Sequence, residues 1–310
     1  MALSVSAAVA ARRTAFDANP GPAALLLAML IWGGTLVVTK SLLAGMGAAT
    51  LLSVRFLVAF LCLVPFAYRS GFRMGDVFRR EFVLFGLTGI VLHNGLETWG
   101  LEYTSAGSAA LIIGGIPAVT VALSRLFLQE PLPRARALGV ALSVAGVVLV
   151  TRPPSGEGAL ELVGNLLVFG GVVSWAIYTI QGKRMSVRVP AIVGTTAGIG
   201  AALLFLLPAA AVESWARGGI PAFGAADVAG LLYLGLGASA AAYALWNFAL
   251  EHVDASVAAP YVNLVPIIGL ALAVLLGESL TPLDFAGGLT VAAGVWLSTS
   301  RRFAPAPAAA

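Results

Sequence analysis

Three polar side chains, His93, Asn94 and Glu97, interrupt a run that is otherwise apolar. Spacings of three and four put them on one face of a helix. An imidazole, an amide and a carboxylate so placed can bind the polar groups of a small ligand, or pass a proton. The other reading is that His93 bonds a neighbouring helix and nothing more. An internal repeat sets Tyr243 opposite Asn94 and Trp246 opposite Glu97, again on one face, with Asn247 beside them. Aromatic residues form a second set: Trp32 and Trp175 at equivalent positions, Tyr178 one turn from Trp175, and Tyr261 with Asn263 just before Pro266. Such rings offer stacking surfaces to a flat ring or an organic cation, or else fill gaps between helices. Arg55, Glu97 and Lys40 form a third set, expected at similar depth, as an ion pair or as a gate. An unpaired charge there costs at least about 2.5–3.5 kcal/mol in an apolar bilayer.

Several chemistries are absent. The two histidines, His93 and His252, are far apart and have no cysteine beside them, so no metal-ligand spacing is present. There is no phosphate-binding Walker motif. No nucleophile stands at a readable spacing from a base. Neither a cofactor nor a metal is expected.

The elements that must hold these residues follow from composition. Of 310 residues, 59 % are hydrophobic and 10 % charged, against about 25 % charged in soluble proteins. Such a chain cannot cover a water-facing surface, so its solvent is largely lipid. Basic residues are scattered between apolar runs, which excludes nucleic acid as a partner. The single cysteine, Cys62, lies in an apolar run and forms no intrachain disulfide. The N-terminal stretch is too polar after Arg12 for a clean signal peptide.

Ten apolar segments can be picked out: 22–44, 48–68, 81–101, 105–128 and 134–151, then 162–181, 190–212, 225–248, 256–276 and 281–299. The fold class expected is an all-α membrane protein of ten transmembrane helices, in two units at 22–152 and 153–300. Residues 1–21 and 301–310 are then the terminal segments. Within it the stretch Ser105–Leu132 is broken by Gly114, Gly115 and Pro117, and Ser256–Leu280 is broken by Pro266. A proline inside a helix frees a carbonyl one turn earlier, so these four residues read as hinges, or as passive kinks. Glu130 and Glu278, at the ends of the two stretches, read as acceptors for loop N–H groups. Gly139 and Gly146 match Gly287 and Gly294, a pattern for close helix packing.

Trp32 and Lys40 are eight residues apart, as are Trp175 and Lys183. Each unit has five spans, an odd number, so the second copy enters the membrane from the opposite side. Inverted repeats of this kind exchange conformations, and alternating access follows. Thirteen basic residues (Arg12, Arg13, Arg69, Arg73, Arg79, Arg80, Arg134, Arg136, Lys183, Arg184, Arg188, Arg301, Arg302) fall on the side of the termini. Only Arg152 and Arg217 fall on the other. Both termini are therefore expected in the cytoplasm.

The stretches WGGTLVVTK, SVRFLVAFLCLVPF and LEYTSAGSAALIIGGIPAVTVALSRLFLQEPL resemble the repeat of the drug/metabolite transporter superfamily, EamA type, and LVPIIGLALAVLLGESLTPLDFAGGLTVAAGVWL resembles it again. The resemblance spans 22–300. It implies ten helices, with the first, third, fourth, sixth, eighth and ninth around a central cavity, and export of amino acids, metabolites or drugs. Exporters of aromatic amino acids are the nearest fit, because the candidate cavity faces are aromatic. Two departures touch the symmetry of the site. Arg55 has no basic counterpart in the seventh span, and Thr35-Leu36 is replaced by Tyr178-Thr179.

The expected protein is thus a multi-pass carrier of the bacterial inner membrane. Its partners are a small amphipathic substrate, most simply an amino acid, and the bilayer. Export of cationic drugs is the alternative within transport and requires Glu97 to be free of Arg55. A membrane-embedded transferase using His93 and a membrane sensor are the alternatives outside it.

Overall fold

The computed structural model describes residues 19–104, 109, 112–150, 158–219, 223–268 and 282–299. Among them every regular element is helical. The first expected span is two helices, α1 (Gly21–Trp32) and α2 (Thr35–Leu43), because the Gly33–Gly34 pair interrupts it. The second is α3 (Ala48–Arg69), and a short 3-10 turn, Met74–Phe78, occupies the loop after it. The third runs from Arg80 to Tyr103 as α4 (Arg80–Gly86), a π-helical stretch Leu87–Leu92 and α5 (His93–Tyr103). The eighth has the same build: α10 (Ala225–Leu232), a π-helical stretch Tyr233–Ala241 and α11 (Ala242–His252). The remaining long helices are α7 (Arg134–Val150), α8 (Gly158–Met185), α9 (Ala191–Ala216) and α13 (Pro282–Thr299).

Both broken helices break just ahead of their proline. In the first, a Gly114–Gly115 turn precedes α6 (Ile116–Phe127), whose first turn holds Pro117. A missing N–H has no consequence there, since that N–H has no helical acceptor in any case. In the second, α12 (Ala255–Ala258) passes into a 3-10 turn, Ala259–Asn263, before the helical turn 264–268 that contains Pro266. Residues 269–281, with Glu278, and 105–108 lie outside the described residues.

Among the described residues five helices are long and apolar enough to cross a membrane: Gly21–Leu43, Ala48–Arg69, Leu162–Met185, Ala191–Ala216 and Ala225–His252. Shorter apolar helices, Ile116–Phe127, Ala255–Ile268 and Phe285–Ser298, accompany them. Large apolar side chains such as Leu30, Leu61, Leu166 and Phe285 point outward unpartnered. In water so much exposed apolar surface drives association; in lipid it is matched by the solvent.

Packing is set where glycines allow backbones to touch. On α7 and α13 the contact is reciprocal. A Cβ built on Gly139 lies 2.7 Å from Gly294 O, one on Gly146 lies 2.6 Å from Val291 N, and one on Gly294 lies 2.7 Å from Gly139 O. Small residues at such crossings serve membrane helix association, where no hydrophobic force separates protein from lipid. α5 meets α8 in the same way, Gly100 against Gly164 O at 2.9 Å. Gly89, in the first π-helical stretch, faces the ring of Tyr178 with no room for a Cβ.

Helix ends are closed by carboxylates. Glu213, near the end of α9, accepts from Ala49 N (3.2 Å), Thr50 N (2.8 Å) and Thr50 Oγ1 (2.7 Å) at the start of α3. Glu130 accepts from Ala255 N and Ser256 N, both at 2.9 Å, which is the loop-binding role expected of it. Glu251 accepts from Ala191 N at the start of α9. Each acid satisfies orphan donors and meets the positive end of a helix dipole. Replacing Glu213 by Ala is expected to destabilise the fold by about 1–3 kcal/mol, the cost of leaving charge-assisted donors unpaired. A melting curve in detergent checks this, and Glu213→Gln should lose less because an acceptor remains.

Candidate functional site

The central core is aromatic. Trp32, at the end of α1, and Trp175, in α8, have ring centroids 5.4 Å apart and stand edge to face. Tyr243 of α11 meets both rings, at 5.6 and 5.8 Å. Trp246, one turn further on, stands 5.9 Å from Trp32 and 5.3 Å from Trp175. His93 tilts against Trp175 at 4.7 Å. Edge-to-face pairing, as at Trp32–Trp175, Trp32–Tyr243 and Trp175–Tyr243, is a preferred arrangement of π quadrupoles.

Hydrogen bonds fix two of the rings, Trp32 and Tyr243. Trp32 donates Nε1–H to Ala238 O at 2.9 Å. Tyr243 donates its hydroxyl to Gly89 O at 3.0 Å and accepts from Asn94 Nδ2 at 2.9 Å. Asn94 also donates to Ile90 O at 3.1 Å. Gly89 and Ile90 lie in the π-helical stretch of the third span and Ala238 in that of the eighth. Their carbonyls are open to side chains because the wider turn breaks the usual i→i−4 pairing.

Beside the rings is a cavity of about 110 Å³. Its aromatic wall is Trp32, Trp175 and Tyr243; its apolar wall is Leu101, Ile113, Ile116, Val262 and Val265. Its polar wall is Arg55, His93, Asn94, Glu97 and Thr98, with Thr35 and Thr39 on α2. The third span therefore gives four polar side chains to the cavity; the polar lining comes wholly from the first half of the chain, while the aromatic and apolar linings draw on both halves.

The charges are arranged with care. His93 Nδ1 lies 3.1 Å from Gly171 O. A carbonyl only accepts, so Nδ1 carries the hydrogen. That turns Nε2 towards Glu97, 3.7 Å from Oε2. Arg55 gives its Nε–H to Ser239 Oγ at 2.8 Å, and its Cζ stands 5.0 Å over the Phe56 ring. Among the described residues no ion pair joins Arg55 to Glu97. Both face the same cavity, and in this conformation each is turned to another partner. The side chain of Lys40 lies outside the described residues.

Not every expected residue reaches the cavity. His93, Asn94, Trp32, Trp175 and Tyr243 line it, as do Arg55 and Glu97. Tyr178 is fully buried behind Trp175. It stacks on Phe85 at 4.2 Å and accepts from Asn247 Nδ2 at 2.7 Å. Trp246 is also fully buried and supports the wall from behind. Asn263 donates to Ser143 Oγ of α7 at 3.1 Å, and Tyr261 is buried beside it outside the cavity wall. Ile116, which does line the cavity, follows the Gly114–Gly115 turn directly, with Pro117 next to it. Pro266 follows Val265 of the apolar wall. The apolar lining and Ser239 carried no sequence signal of their own, since similar residues face lipid elsewhere.

One end of the bundle is tied together by side chains. Lys183 Nζ donates to Leu250 O and Val253 O, both at 2.9 Å. Arg136 Nη1 donates to Ser256 Oγ at 2.8 Å, and Arg184 Nη2 to Phe127 O at 2.7 Å. With Glu130 on Ala255 and Ser256, these contacts join α6, α7, α8, α11 and α12 at that end. Among the described residues no group of three or more metal-ligating side chains gathers here or elsewhere.

Apolar helices packed on glycines around a mixed aromatic and charged cavity define a membrane transporter. The chain belongs to the EamA-like transporter family, whose pattern matches residues 19–152 and again 162–300. It is a transporter and not an enzyme. A transporter of Archaeoglobus fulgidus with no assigned substrate is 33 % identical over 288 residues, 90 % of this chain and 96 % of its own. A protein of Streptantibioticus cattleyicolor, named a probable terminal-alkyne amino-acid exporter, is 29 % identical over 282 residues, 90 % of this chain and 93 % of its own. A solved crystal structure matches 90 % of this chain and 96 % of its own with a TM-score of 0.76 at 18 % identity, which is a likeness of fold.

Proposed function

We propose that the protein exports small amphipathic metabolites, amino acids with aromatic side chains among them, across the bacterial inner membrane by alternating access. The observation that carries this reading is the composition of the cavity. Three aromatic rings line it, and the same lining offers a guanidinium and a carboxylate. A free amino acid has the complementary parts: an apolar side chain, a carboxylate and an ammonium group. Apolar contact discriminates weakly between side chains, so selectivity among them is broad. The amino-acid exporter among the relatives supports the same class.

The transport cycle uses two inverted five-helix units, 22–152 and 153–300. Support comes from features found twice: a π-helical stretch before the cavity residues, a helix broken ahead of its proline, and a tryptophan on the wall. With both termini in the cytoplasm, the end tied by Lys183 and Glu130 is the cytoplasmic one. The conformation then has its inner end closed. Gly114, Gly115, Pro117 and Pro266 supply the hinges.

A second reading, export of organic cations, is favoured by one contact: Glu97 meets His93 and not Arg55. The deciding measurement is counterflow of labelled phenylalanine in proteoliposomes, with and without a pH gradient. Saturable exchange is expected. Exchange of a lipophilic cation with none of any amino acid would replace the first reading by the second.

A further inference from the structure

Arg55 is only 6 % exposed, yet it lines the cavity. It lies seven residues into α3, about 10 Å along the helix axis from its start. A guanidinium has five N–H donors. Ser239 takes the one on Nε. Among the described residues neither Nη has a hydrogen-bond partner, and no carboxylate stands within ion-pair distance. The charge is thus buried, anchored on one edge and open on the other.

The anchoring is built into the backbone. Ser239 lies in the π-helical stretch of the eighth span, and its hydroxyl is fully buried against α3. The two helices come this close because residue 235 is glycine. A Cβ there would lie 2.6 Å from Val58 Cγ1 and 3.2 Å from Arg55 O. With Nε held and Phe56 under the guanidinium plane, the Nη pair keeps one direction. A planar fork of this kind fits a carboxylate through two parallel hydrogen bonds, which an ammonium on a flexible stem does not reproduce. A buried cation without a resident anion is costly in a bilayer, and a substrate anion removes that cost.

We propose that Arg55, oriented by Ser239, is the carboxylate-recognition site of the cavity. The substrate therefore carries a free carboxylate, whatever its side chain, and decarboxylated amines are discriminated against. This rests on the reading of the cavity as the transport site. Arg55 touches the substrate; Ser239 is a positioning residue that acts through it.

The test compares phenylalanine with phenethylamine, which differs by the carboxylate alone. In wild-type proteoliposomes phenethylamine should compete with labelled phenylalanine at least about 10-fold more weakly, from loss of a charge-assisted pair. In Arg55→Gln that ratio should fall towards one. Arg55→Lys, which keeps the charge but not the fork, should recover only part of it. Ser239→Ala should raise KM for phenylalanine and lower the ratio while turnover persists, a split that a general packing defect would not produce. Stabilisation of purified protein by each compound gives a readout free of transport. Wild type stabilised by phenylalanine over phenethylamine but exchanging neither would overturn the transport reading and leave the carboxylate site standing. Wild-type exchange with a ratio unchanged in Ser239→Ala and in whichever Arg55 variant folds would overturn the site and leave transport standing.

Discussion

Glu97→Gln is expected to raise KM for phenylalanine about 10- to 100-fold, the loss of one charge-assisted contact to the ammonium group. It should abolish exchange of phenethylamine, which has only that ammonium to offer. The reasoning is geometric. Glu97 faces the cavity with a side chain 21 % accessible, and its one ionisable contact, His93 Nε2, is 3.7 Å away. No lysine or arginine among the described residues neutralises it at contact distance. Phenylpropionate, with a carboxylate and no ammonium, should gain affinity in the variant, because the repulsive charge is gone while Arg55 remains. The organic-cation reading predicts a different outcome: cation exchange lost and phenylalanine unchanged. Counterflow with the three compounds separates these. Circular dichroism and monodispersity in detergent establish that the variant folds, and a carboxylate exchanged for its amide is nearly the same shape.

How much of this was legible in the sequence depends on what kind of statement is asked. That the chain is a bundle of lipid-facing helices follows from composition alone, and the duplication follows from Trp32 with Lys40 against Trp175 with Lys183. The pairing of glycines on α7 and α13 was readable because close backbone approach admits almost no other residue. Side-chain direction was harder. Placing residues on a face assumes 3.6 residues per turn throughout. The π-helical stretches Leu87–Leu92 and Tyr233–Ala241 break that assumption in the two helices that matter most. Asn94 and Tyr243, just past these stretches, do meet across the cavity wall, whereas Trp246 turns behind it. Spacing sets Tyr178 beside Trp175, but the glycine at position 89 draws its ring into the third span and out of the lining. Arg55 and Glu97 share a depth, and depth says nothing about partners. Ser239, a small hydroxyl among alanines, gave no hint that it holds a guanidinium. Closeness to Pro266 singles out Asn263 in the sequence, while its amide donates to Ser143 of α7.

Trp175 is where stability and selectivity meet. Its indole is 3 % exposed and contacts Trp32, His93, Tyr178, Tyr243 and Trp246. Among the described residues its buried Nε1 donor has no partner. Replacing it by alanine should cost about 3–5 kcal/mol, the range for large aromatic truncations in cores. The hole opens directly onto the cavity, so a larger substrate side chain can occupy it. Trp175→Ala is accordingly expected to lose thermal stability and to shift preference from phenylalanine towards tryptophan, with bound tryptophan restoring part of the melting temperature. Trp175→Phe is the sharper comparison. It removes the unpartnered donor, which offsets part of the lost ring area, so its stability should stay within about 1–2 kcal/mol of wild type. If Trp175→Ala melts like wild type and keeps its order of substrate preference, the ring is neither core nor wall, and the aromatic face on which the transport reading depends is not there.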